Sequence, residues 1–295
     1  MRLKINSLSK TYSNGVHALK DVSLTLDNGM FGLLGPNGAG KSSLMRTIAT
    51  LQEADKGTVF LDDLDVLRNK TRVRQLLGYL PQEFGVYPKI SAERMLDHIA
   101  RLKGVENAGE RKELVGSLLE NVNLSKDRKK HLGTYSGGMK QRFGIAQALI
   151  GNPKLIIVDE PTAGLDPAER NRFYNLLSQL GEKTIVILST HIVEDVSTLC
   201  SNFAIICQGE VLYSGNPDHA VHELKGKIFS KEISQSELPE YQKKYNVIST
   251  QLKTGRLHIR ILQETGPEEG FSQPDANLED VYFSNIATRV DVNTI

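Results

Sequence analysis

The chain has 295 residues, of which 39% are hydrophobic and 24% are charged. This composition is typical of a globular protein of about two domains, and it excludes a disordered chain, a collagen-like repeat and a small disulfide scaffold. A formal net charge of +1 excludes the strongly basic surface that wraps nucleic acid, so we expect no nucleic-acid partner. The two cysteines, Cys200 and Cys207, are too few to staple this fold, and we expect buried thiols in a reducing compartment.

The chain has no apolar run long enough to cross a membrane on its own. A membrane-spanning helix needs roughly 20 apolar residues, and no uninterrupted run in this sequence approaches that length. The opening MRLKINSLSKTYSN also lacks the apolar centre of a signal peptide. We therefore expect a cytoplasmic chain that reaches a membrane only through a partner.

The first two thirds of the sequence alternate between predicted strands and predicted helices. The opening segments LKINSLSKTY and ALKDVSLTLDNG alternate apolar and polar residues, which predicts antiparallel strands. Near-continuous apolar runs at residues 30–34, 155–158, 184–188 and 203–207 are typical of strands covered on both faces of a parallel sheet. The alternation predicts an α/β fold with an antiparallel β-subdomain.

Two of the predicted helices begin after a serine that can cap the first turn. These serines are Ser91 and Ser136. The predicted buried faces are Met95, Ile99 and Leu102 in the first helix and Met139, Phe143, Ala146 and Ile150 in the second.

The pattern changes after about Asn216. The predicted elements there are a linker helix at 216–226, a strand at 227–233, a hairpin that turns at Thr254 and Gly255, and a closing amphipathic helix at 278–286. We therefore predict a larger α/β domain over residues 1–215 and a small α+β appendage over residues 216–295.

The segment GPNGAGKS, Gly35 to Ser42, fits the pattern G-x-x-x-x-G-K-[ST] between a predicted strand and a predicted helix. Gly35, Gly38 and Gly40 allow the backbone to aim N–H groups at phosphate oxygens, and the following helix adds its positive end. Lys41 can reach the outer phosphates, and the Ser42 hydroxyl can ligate Mg²⁺. A plain glycine turn has no use for this Lys-Ser pair, and a dinucleotide site would need G-x-G-x-x-G.

A second set of candidate residues lies in KLIIVDEPTAGLD, residues 154–166. Asp159 ends a predicted buried strand, at the sheet edge where open α/β sheets bind ligands, and it suits a hold on Mg²⁺. Glu160 follows it and, on an extended chain, points the other way, where it can orient or deprotonate an attacking water. An Asp-Glu pair alone is more often surface charge, but together with a phosphate loop it indicates hydrolysis.

The segment YSGGMKQR, residues 135–142, offers a second anion site. Ser136 can cap a helix whose first N–H groups are left unobstructed by Gly137 and Gly138. The structural alternative is a simple capped helix start, and one domain needs only one phosphate site.

The segments GPNGAGKSS, SGG, LIIVDEP and AGLD, in this order, resemble the ATP-binding cassette (ABC) ATPases, the nucleotide-binding subunits of ABC transporters. The resemblance covers about residues 3–215. It implies a P-loop NTPase fold with a parallel-sheet core, an antiparallel β-subdomain and a helical subdomain at about 84–150. In that family two cassettes sandwich two ATP molecules head to tail. The resemblance therefore implies that the serine-glycine signature, residues 136–138, completes the site of a partner cassette.

The resemblance also gives roles to single residues. Tyr12 matches the aromatic residue that stacks on adenine, Gln82 the glutamine that senses Mg²⁺ and the γ-phosphate, and His191 the histidine that holds the γ-phosphate and the catalytic water. Asp166 matches the loop that contacts the opposite cassette. Without the resemblance, Tyr12 is a packed tyrosine, Gln82 a loop residue and His191 a structural histidine.

The implied site is therefore made of three sets of residues. The nucleotide-binding set is Tyr12, Gly35, Pro36, Asn37, Gly38, Ala39, Gly40, Lys41, Ser42, Ser43, Gln82, Ser136, Gly137, Gly138 and Asp166. The catalytic residues are Glu160 and His191, and the Mg²⁺ ligands are Ser42, Gln82 and Asp159.

Two segments depart from the family's commonest pattern or extend it. The signature usually reads LSGGQ, whereas this chain has Tyr135 and Met139 at its first and fifth positions. Because the phosphate contacts come from the serine and the glycine backbone, we expect activity to survive. The tail NLEDVYFSNI resembles that of the bacterial exporter subgroup for drugs, antibiotics, lipids and polysaccharides.

The resemblance also gives a role to residues 84–102. They correspond to the surface that receives a transporter's coupling helix.

The function that follows is ATP hydrolysis coupled to transport by a separate membrane permease, and the likeness to the exporter subgroup implies export. The expected partners are a second cassette, identical or a close paralogue, and integral membrane subunits, with the chain peripheral on the cytoplasmic face. One alternative is a soluble ABC ATPase of DNA repair or ribosomes, but the interval from Lys41 to Ser136 holds no sustained heptads and no cysteine, and one cassette is present. A catalytically dead scaffold is the other alternative, and the intact catalytic residues argue against it.

Overall fold

The computed structural model describes residues 1–82, 85–162, 165–178, 180, 184–267, 270–287 and 289. Within this part of the chain, thirteen strands form three sheets, and ten α-helices pack around them. None of the described helices is both long enough and apolar enough to cross a membrane.

The first sheet is the antiparallel β-subdomain predicted from the alternating opening. Its strands are β1 (Arg2–Thr11), β2 (His17–Asp27), β4 (Lys56–Leu61) and β5 (Leu64–Asp65), in the spatial order β2-β1-β4-β5. Leu3 and Ile5 of β1, and Leu24 and Leu26 of β2, are buried, while the residues between them are exposed or half-buried. The period-two pattern of the sequence therefore maps onto one buried face.

The second sheet is the predicted parallel core. Its strands are β3 (Gly29–Leu34), β6 (Leu77–Leu80), β7 (Leu155–Asp159), β8 (Ile185–Thr190), β9 (Asn202–Cys207) and β10 (Glu210–Gly215), in the order β10-β9-β3-β8-β7-β6. All neighbouring pairs are parallel except β10 and β9. Met30 and Leu34 belong to one hydrophobic core, whereas Phe31 and Leu33 belong to the other. Continuous apolar runs are needed here because both faces are covered.

Helices cover both faces of this sheet. They are α1 (Lys41–Ile48), α2 (Lys70–Leu76), α3 (Ala92–Leu102), α4 (Ala108–Asn121), α5 (Gly137–Ala148), α6 (Pro167–Ser178) and α7 (Val193–Leu199). The first two pack into the core shared with the β-subdomain, and α3 to α7 pack into the other core. The predicted helical subdomain corresponds to α3, α4 and α5 with the 3₁₀ turns between them, and Phe84 lies outside the described residues.

The predicted buried face of α3 is right only in part: Met95 and Ile99 are half-buried and pack against the core, but they do not form the centre of the buried face. Ser91 caps this helix as predicted, accepting the Arg94 N–H. The buried residues, however, are Ala92, Leu96 and Ala100, whereas Leu102 is 74% exposed. The small side chains of Ala92 and Ala100, about two turns apart, allow α3 to approach α4 and α5 closely. The predicted face of α5 is confirmed at Phe143, Ala146 and Ile150, and Met139 is half-buried.

The third sheet belongs to the appendage. It is antiparallel, with strands β11 (Ile228–Ile233), β12 (Val247–Lys253) and β13 (Arg256–Leu262) in the order β11-β13-β12. The predicted hairpin turns at Thr254 and Gly255, which both have positive φ. This sheet and helix α9 (Leu238–Lys244) have a small core of their own around Ile259 and Ile261.

Two helices of the predicted appendage pack against the larger domain. They are α8 (Pro217–Glu223) and α10 (Leu278–Ile286), and Ala220, Tyr282 and Ile286 belong to the same core as α3 to α7. Helix α10 contacts α7, α8, β9 and β10, and on its other side β12 of the appendage sheet. The boundary between residues 215 and 216 remains a prediction, and the packing of these two helices crosses it.

Alanine at Ile286 should therefore destabilise the larger domain. Ile286 is fully buried in that core, and truncating such a side chain costs about 2–5 kcal/mol. Ile259→Ala is the matched variant, because Ile259 is equally buried in the small core. We expect only Ile286→Ala to lower the temperature at which the protein releases a fluorescent ATP analogue. Equal effects of both variants would show instead that the two cores unfold together.

Both cysteines are free and buried, as predicted. Burial raises the pKa of the Cys200 thiol to about 12 and also raises the pKa of Cys207. Neither thiol is therefore ionised at neutral pH, so both behave as apolar packing groups.

Candidate functional site

The candidate site lies where the parallel strands end. The phosphate loop follows β3, Gln82 follows β6, Glu160 follows β7 and His191 follows β8. Because the carboxyl ends of parallel strands meet at one edge of a sheet, four segments far apart in sequence converge there.

The phosphate loop takes turns that its glycines permit. Gly38 and Gly40 have φ values of +77° and +108°. A Cβ atom on Gly40 would lie 2.4 Å from the carbonyl oxygen of Ala18, so only glycine fits at that position. Helix α1 begins at Lys41, directly after the loop, which puts its positive end at the same place.

The Lys41 side chain is folded back over the loop. Its side chain is only 5% exposed, and its Nζ atom donates to the carbonyl oxygens of Gly35 at 2.6 Å and Pro36 at 3.1 Å. Burial lowers the pKa of Lys41, while the carboxylates of Glu160 and Asp159 act in the opposite direction. The Lys41 ammonium group thus lies in the phosphate loop, where it can bind phosphate oxygens, and two acidic groups are close to it.

Glu160 is the point at which the side chains of the site meet. Its Oε1 atom lies 3.6 Å from Lys41 Nζ and 3.4 Å from His191 Nδ1. Its Oε2 atom accepts a hydrogen bond of 2.9 Å from Gln82 Nε2. One carboxylate thus contacts residues from three other segments of the site.

The backbone at Glu160 is left-handed and not extended, contrary to the sequence prediction. Its φ is +45°, a conformation that residues other than glycine rarely adopt, and its N–H donates to Ser189 O at 2.9 Å. Strand β7 ends at Asp159, so the alternation of a strand no longer applies one residue later. The turn, held by its neighbours, aims the carboxylate toward Lys41. Such strained backbone is typical of functional positions.

Asp159 and Ser42 provide the kind of oxygen ligands that Mg²⁺ prefers. Asp159 is 4% exposed, and its Oδ1 atom is buried without a hydrogen-bond partner among the described residues. Ser42 is exposed in the first turn of α1, and Gln82 is exposed at the end of β6. A buried carboxylate oxygen without a partner costs free energy unless a cation or water satisfies it. The residues present therefore fit Mg²⁺ held together with substrate phosphates.

A cavity of about 880 Å³ opens over the phosphate loop. This volume is within the ~300–1,000 Å³ of small-molecule pockets. Its lining residues are Tyr12, Val16, His17, Ala18, Lys20, Asn37, Gly38, Ala39, Gly40, Lys41, Ser42, Ser43, Gln82, Glu160 and Gln208. The structure thus brings most of the predicted nucleotide-binding residues to one cavity. The Tyr12 hydroxyl lies 2.9 Å from Ser43 Oγ, which ties this tyrosine to α1.

Five lining residues were not predicted: Val16, His17, Ala18, Lys20 and Gln208. The first four lie at or near the β1–β2 turn, and Gln208 lies in the β9–β10 turn. The pair Gln208-Gly209, directly after a predicted strand, is the sequence feature that could have indicated a turn here. Gly209 donates to Ala39 O at 2.8 Å, and a Cβ atom on it would lie 2.9 Å from Ala18 O, so this turn must approach the phosphate loop closely.

The signature residues do not line this cavity in the described part of the chain. Ser136 caps α5, accepting the Met139 N–H at 3.2 Å, and it is exposed together with Gly137. Tyr135, at the first signature position, is buried, and its hydroxyl donates to Asp127 O at 3.0 Å. This tyrosine therefore packs where the family's leucine stands, with its one polar atom satisfied.

Asp166 directly precedes helix α6, which meets the signature helix through Glu169. Its Oδ1 atom accepts the Glu169 N–H at 2.8 Å, so Asp166 caps this helix. The Glu169 carboxylate pairs with Arg142 of α5, and a Cβ atom on Gly138 would lie 2.7 Å from Glu169 Oε2. Asp166 and the signature helix are thus connected through Glu169. Residues 163 and 164, in the predicted AGLD segment, lie outside the described residues.

Comparisons with known proteins agree with this geometry. A family model described as ABC transporter matches residues 19–163. The linearmycin resistance ATP-binding protein LnrL of Bacillus subtilis is 36% identical over 226 residues, which are 76% of this chain and 72% of LnrL. A solved dimeric structure of the ATP-binding cassette MJ0796, in a post-hydrolysis state bound to ADP and Pi, has a TM-score of 0.67 at 27% identity, covering 72% of this chain and 98% of that one. The structure of cbiO1 from Clostridium perfringens, part of the ABC transporter complex cbiONQ, has a TM-score of 0.67 at 27% identity, covering 75% and 90%.

A phosphate loop, a buried aspartate and a glutamate at the carboxyl edge of this sheet define an ATP-hydrolysing cassette. With the sequence identity just given, the chain belongs to the ABC transporter family, as an ATP-binding subunit. The predicted family, fold class and ATPase activity are confirmed, and a soluble ABC ATPase outside transport is not favoured.

Proposed function

We propose that this chain hydrolyses ATP with Glu160 as the general base. The meeting of Lys41, Gln82 and His191 at the Glu160 carboxylate is the observation that carries the proposal. In this arrangement the loop N–H groups and Lys41 bind the outer phosphates. Glu160 then accepts the proton of the attacking water, and His191 holds the γ-phosphate and that water.

Tyr12, which lines the same cavity, stacks on adenine. Mg²⁺, when bound, neutralises charge that develops on the phosphates. Ser42, Gln82 and Asp159 would hold it, and the partnerless Asp159 oxygen supports this assignment.

We further propose that two cassettes, identical or closely related, bind ATP between them. Ser136 and Gly137 are exposed and lie outside the cavity of their own chain, so they are available to a second cassette. Asp166 caps the helix whose Glu169 pairs with Arg142 of the signature helix. MJ0796, a cassette of similar fold, forms dimers, which supports this assembly.

The cassette drives export through a separate membrane permease, while the chain itself stays at the cytoplasmic face of the membrane. LnrL is by name a linearmycin resistance protein, and cbiO1 is part of a transporter complex. Three large apolar side chains are exposed in the predicted permease-binding segment: Tyr87, Ile90 and Leu102 are 64%, 36% and 74% exposed. Tyr87 and Ile90 lie three residues apart, and exposed apolar side chains that form one patch mark protein-protein contacts.

The purified chain should release phosphate from ATP only when Mg²⁺ is present. Phosphate release is measured with Mg²⁺ and again with excess EDTA. Hydrolysis that continues unchanged in EDTA would contradict the proposed Mg²⁺ site.

The permease contact is tested by purifying the tagged chain from detergent-solubilised membranes of the cells that make it and identifying the membrane protein that co-purifies. Tyr87→Glu should lose the membrane protein and keep basal ATP hydrolysis. Leu51→Glu is the matched control. Leu51 is also an exposed apolar residue, at 59%, but it lies just after α1 and outside the predicted permease-binding segment. Recovery of the chain with ribosomes or DNA, and not with a membrane protein, would favour the alternative class.

A further inference from the structure

Helix α7 carries a buried carboxylate that none of the roles above uses. Asp195 has 0% exposed surface. Its Oδ2 atom accepts hydrogen bonds of 2.7 Å from both Thr162 Oγ1 and Thr190 Oγ1, and its Oδ1 atom accepts one from the Tyr174 hydroxyl. Burying a carboxylate is costly unless donors satisfy it, and bonds to a charged acceptor are the stronger kind. Three hydroxyl groups are therefore held tightly around one charge.

These three hydroxyls come from the segments that carry the proposed catalytic residues. Thr162 lies two residues after Glu160, and Thr190 directly precedes His191. Thr190 Oγ1 also accepts the Ile192 N–H at 2.9 Å, so the backbone is fixed on both sides of the histidine.

Tyr174 connects the same carboxylate to α6, the helix that Asp166 caps. Burial and the neighbouring Asp195 carboxylate raise the pKa of Tyr174, which keeps its hydroxyl a donor. Among the described residues, no side chain of the phosphate loop or of α1 donates to Asp195. The network thus joins the hydrolytic segments to one another and leaves the phosphate-binding segment out.

We propose that Asp195 is a positioning residue that sets Glu160 and His191 in their relative places. The proposal rests on the catalytic roles proposed above for these two residues, whose side chains lie 3.4 Å apart. Asp195 is fully buried and is not among the residues that line the nucleotide cavity. It acts through Thr162 and Thr190, because a shift of either segment moves one catalytic group against the other.

Removing one hydroxyl at constant volume tests the proposal. Thr190→Val and Thr162→Val should each lower kcat by about 10- to 100-fold, since a misplacement of about 1 Å costs up to that much. The KM for ATP and the affinity for an ATP analogue should change less than about twofold, because Lys41 and its loop supply the binding. Thr190→Ser keeps the hydroxyl and should restore kcat.

Asp195→Asn is the companion variant, and Asp280→Asn is its matched control. Asp280 is an equally buried carboxylate, 1% exposed, but it pairs with Arg260 of the appendage. Both variants should lower thermal stability, and only Asp195→Asn should lower kcat. If Asp195→Asn fails to fold, the two threonine variants carry the test.

The result that overturns the proposal is distinct from one that overturns the proposed function. Valine variants with wild-type kcat, or with losses of kcat and ATP affinity in equal proportion, would show that the Asp195 network is only structural. A wild-type rate in Glu160→Gln would instead remove the catalytic assignment on which the proposal rests.

Discussion

Lys41→Ala is expected to abolish measurable ATP binding and hydrolysis while the protein stays folded. A hydrogen bond to a charged group contributes about 1.5–3 kcal/mol. Two such bonds between the ammonium and phosphate oxygens correspond to a loss of about 10² to 10⁴ in ATP affinity. The measurement is the dissociation constant of a fluorescent ATP analogue, with circular dichroism as the test of folding.

Lys103→Ala provides the matched control for this variant. Lys103 is also a lysine whose pKa is lowered by burial, and its Nζ atom donates to two backbone carbonyl oxygens at 2.6 Å, those of Arg74 and Leu77. It does not line the nucleotide cavity. We expect its replacement to leave ATP affinity unchanged. An affinity within twofold of wild type in Lys41→Ala would refute the phosphate-loop assignment.

Glu160→Gln is expected to lower turnover by about 10² to 10⁴, the loss typical of removing a general base, while ATP still binds. Glutamine keeps the length of the side chain and can still accept from Gln82, but it cannot take up a proton at neutral pH. Single-turnover hydrolysis and ATP-analogue binding are measured on the same preparation. Glu232→Gln, in a surface ion pair with Arg256, is the control and should hydrolyse ATP at the wild-type rate.

The same variant tests the proposed two-cassette assembly. Because bound ATP joins the cassettes, blocked hydrolysis should accumulate a dimer that the wild type forms only briefly. Size-exclusion chromatography with and without MgATP should show this dimer for Glu160→Gln. Adding Ser136→Arg should prevent it, since the exposed Ser136 would meet the partner's γ-phosphate. A monomer under all conditions would count against the assembly.

Local patterns were sufficient to predict the parts of the site that local chemistry determines. The phosphate loop, the strand before Asp159 and the cap at Ser136 are all written in a few neighbouring residues. Burial on both faces also follows from continuous apolar runs, which is why the parallel core was predicted.

Contacts between distant segments were beyond reach of the same reasoning. The left-handed turn at Glu160 depends on Ser189 of the next strand, and the place of Gln208 in the cavity depends on how its turn meets Ala39. The face of α3 was predicted only in part, because alanine carries little hydrophobic signal although Ala92 and Ala100 allow the close helix contact. The roles of the signature and of Asp166 remain predictions, because they require a second cassette.

The packing of α10 also determines when the larger domain can finish folding during translation. Its core receives Tyr282 and Ile286 from a helix that starts 63 residues after β10 ends (278 − 215). At about 5–20 residues per second, a ribosome needs about 3–13 s to add that stretch. Throughout this interval the surfaces of α7, β9 and β10 that α10 will cover remain bare, while the nucleotide-binding residues have already been synthesised. A nascent chain of this protein thus exposes, for seconds, the apolar surface that its last helix will cover.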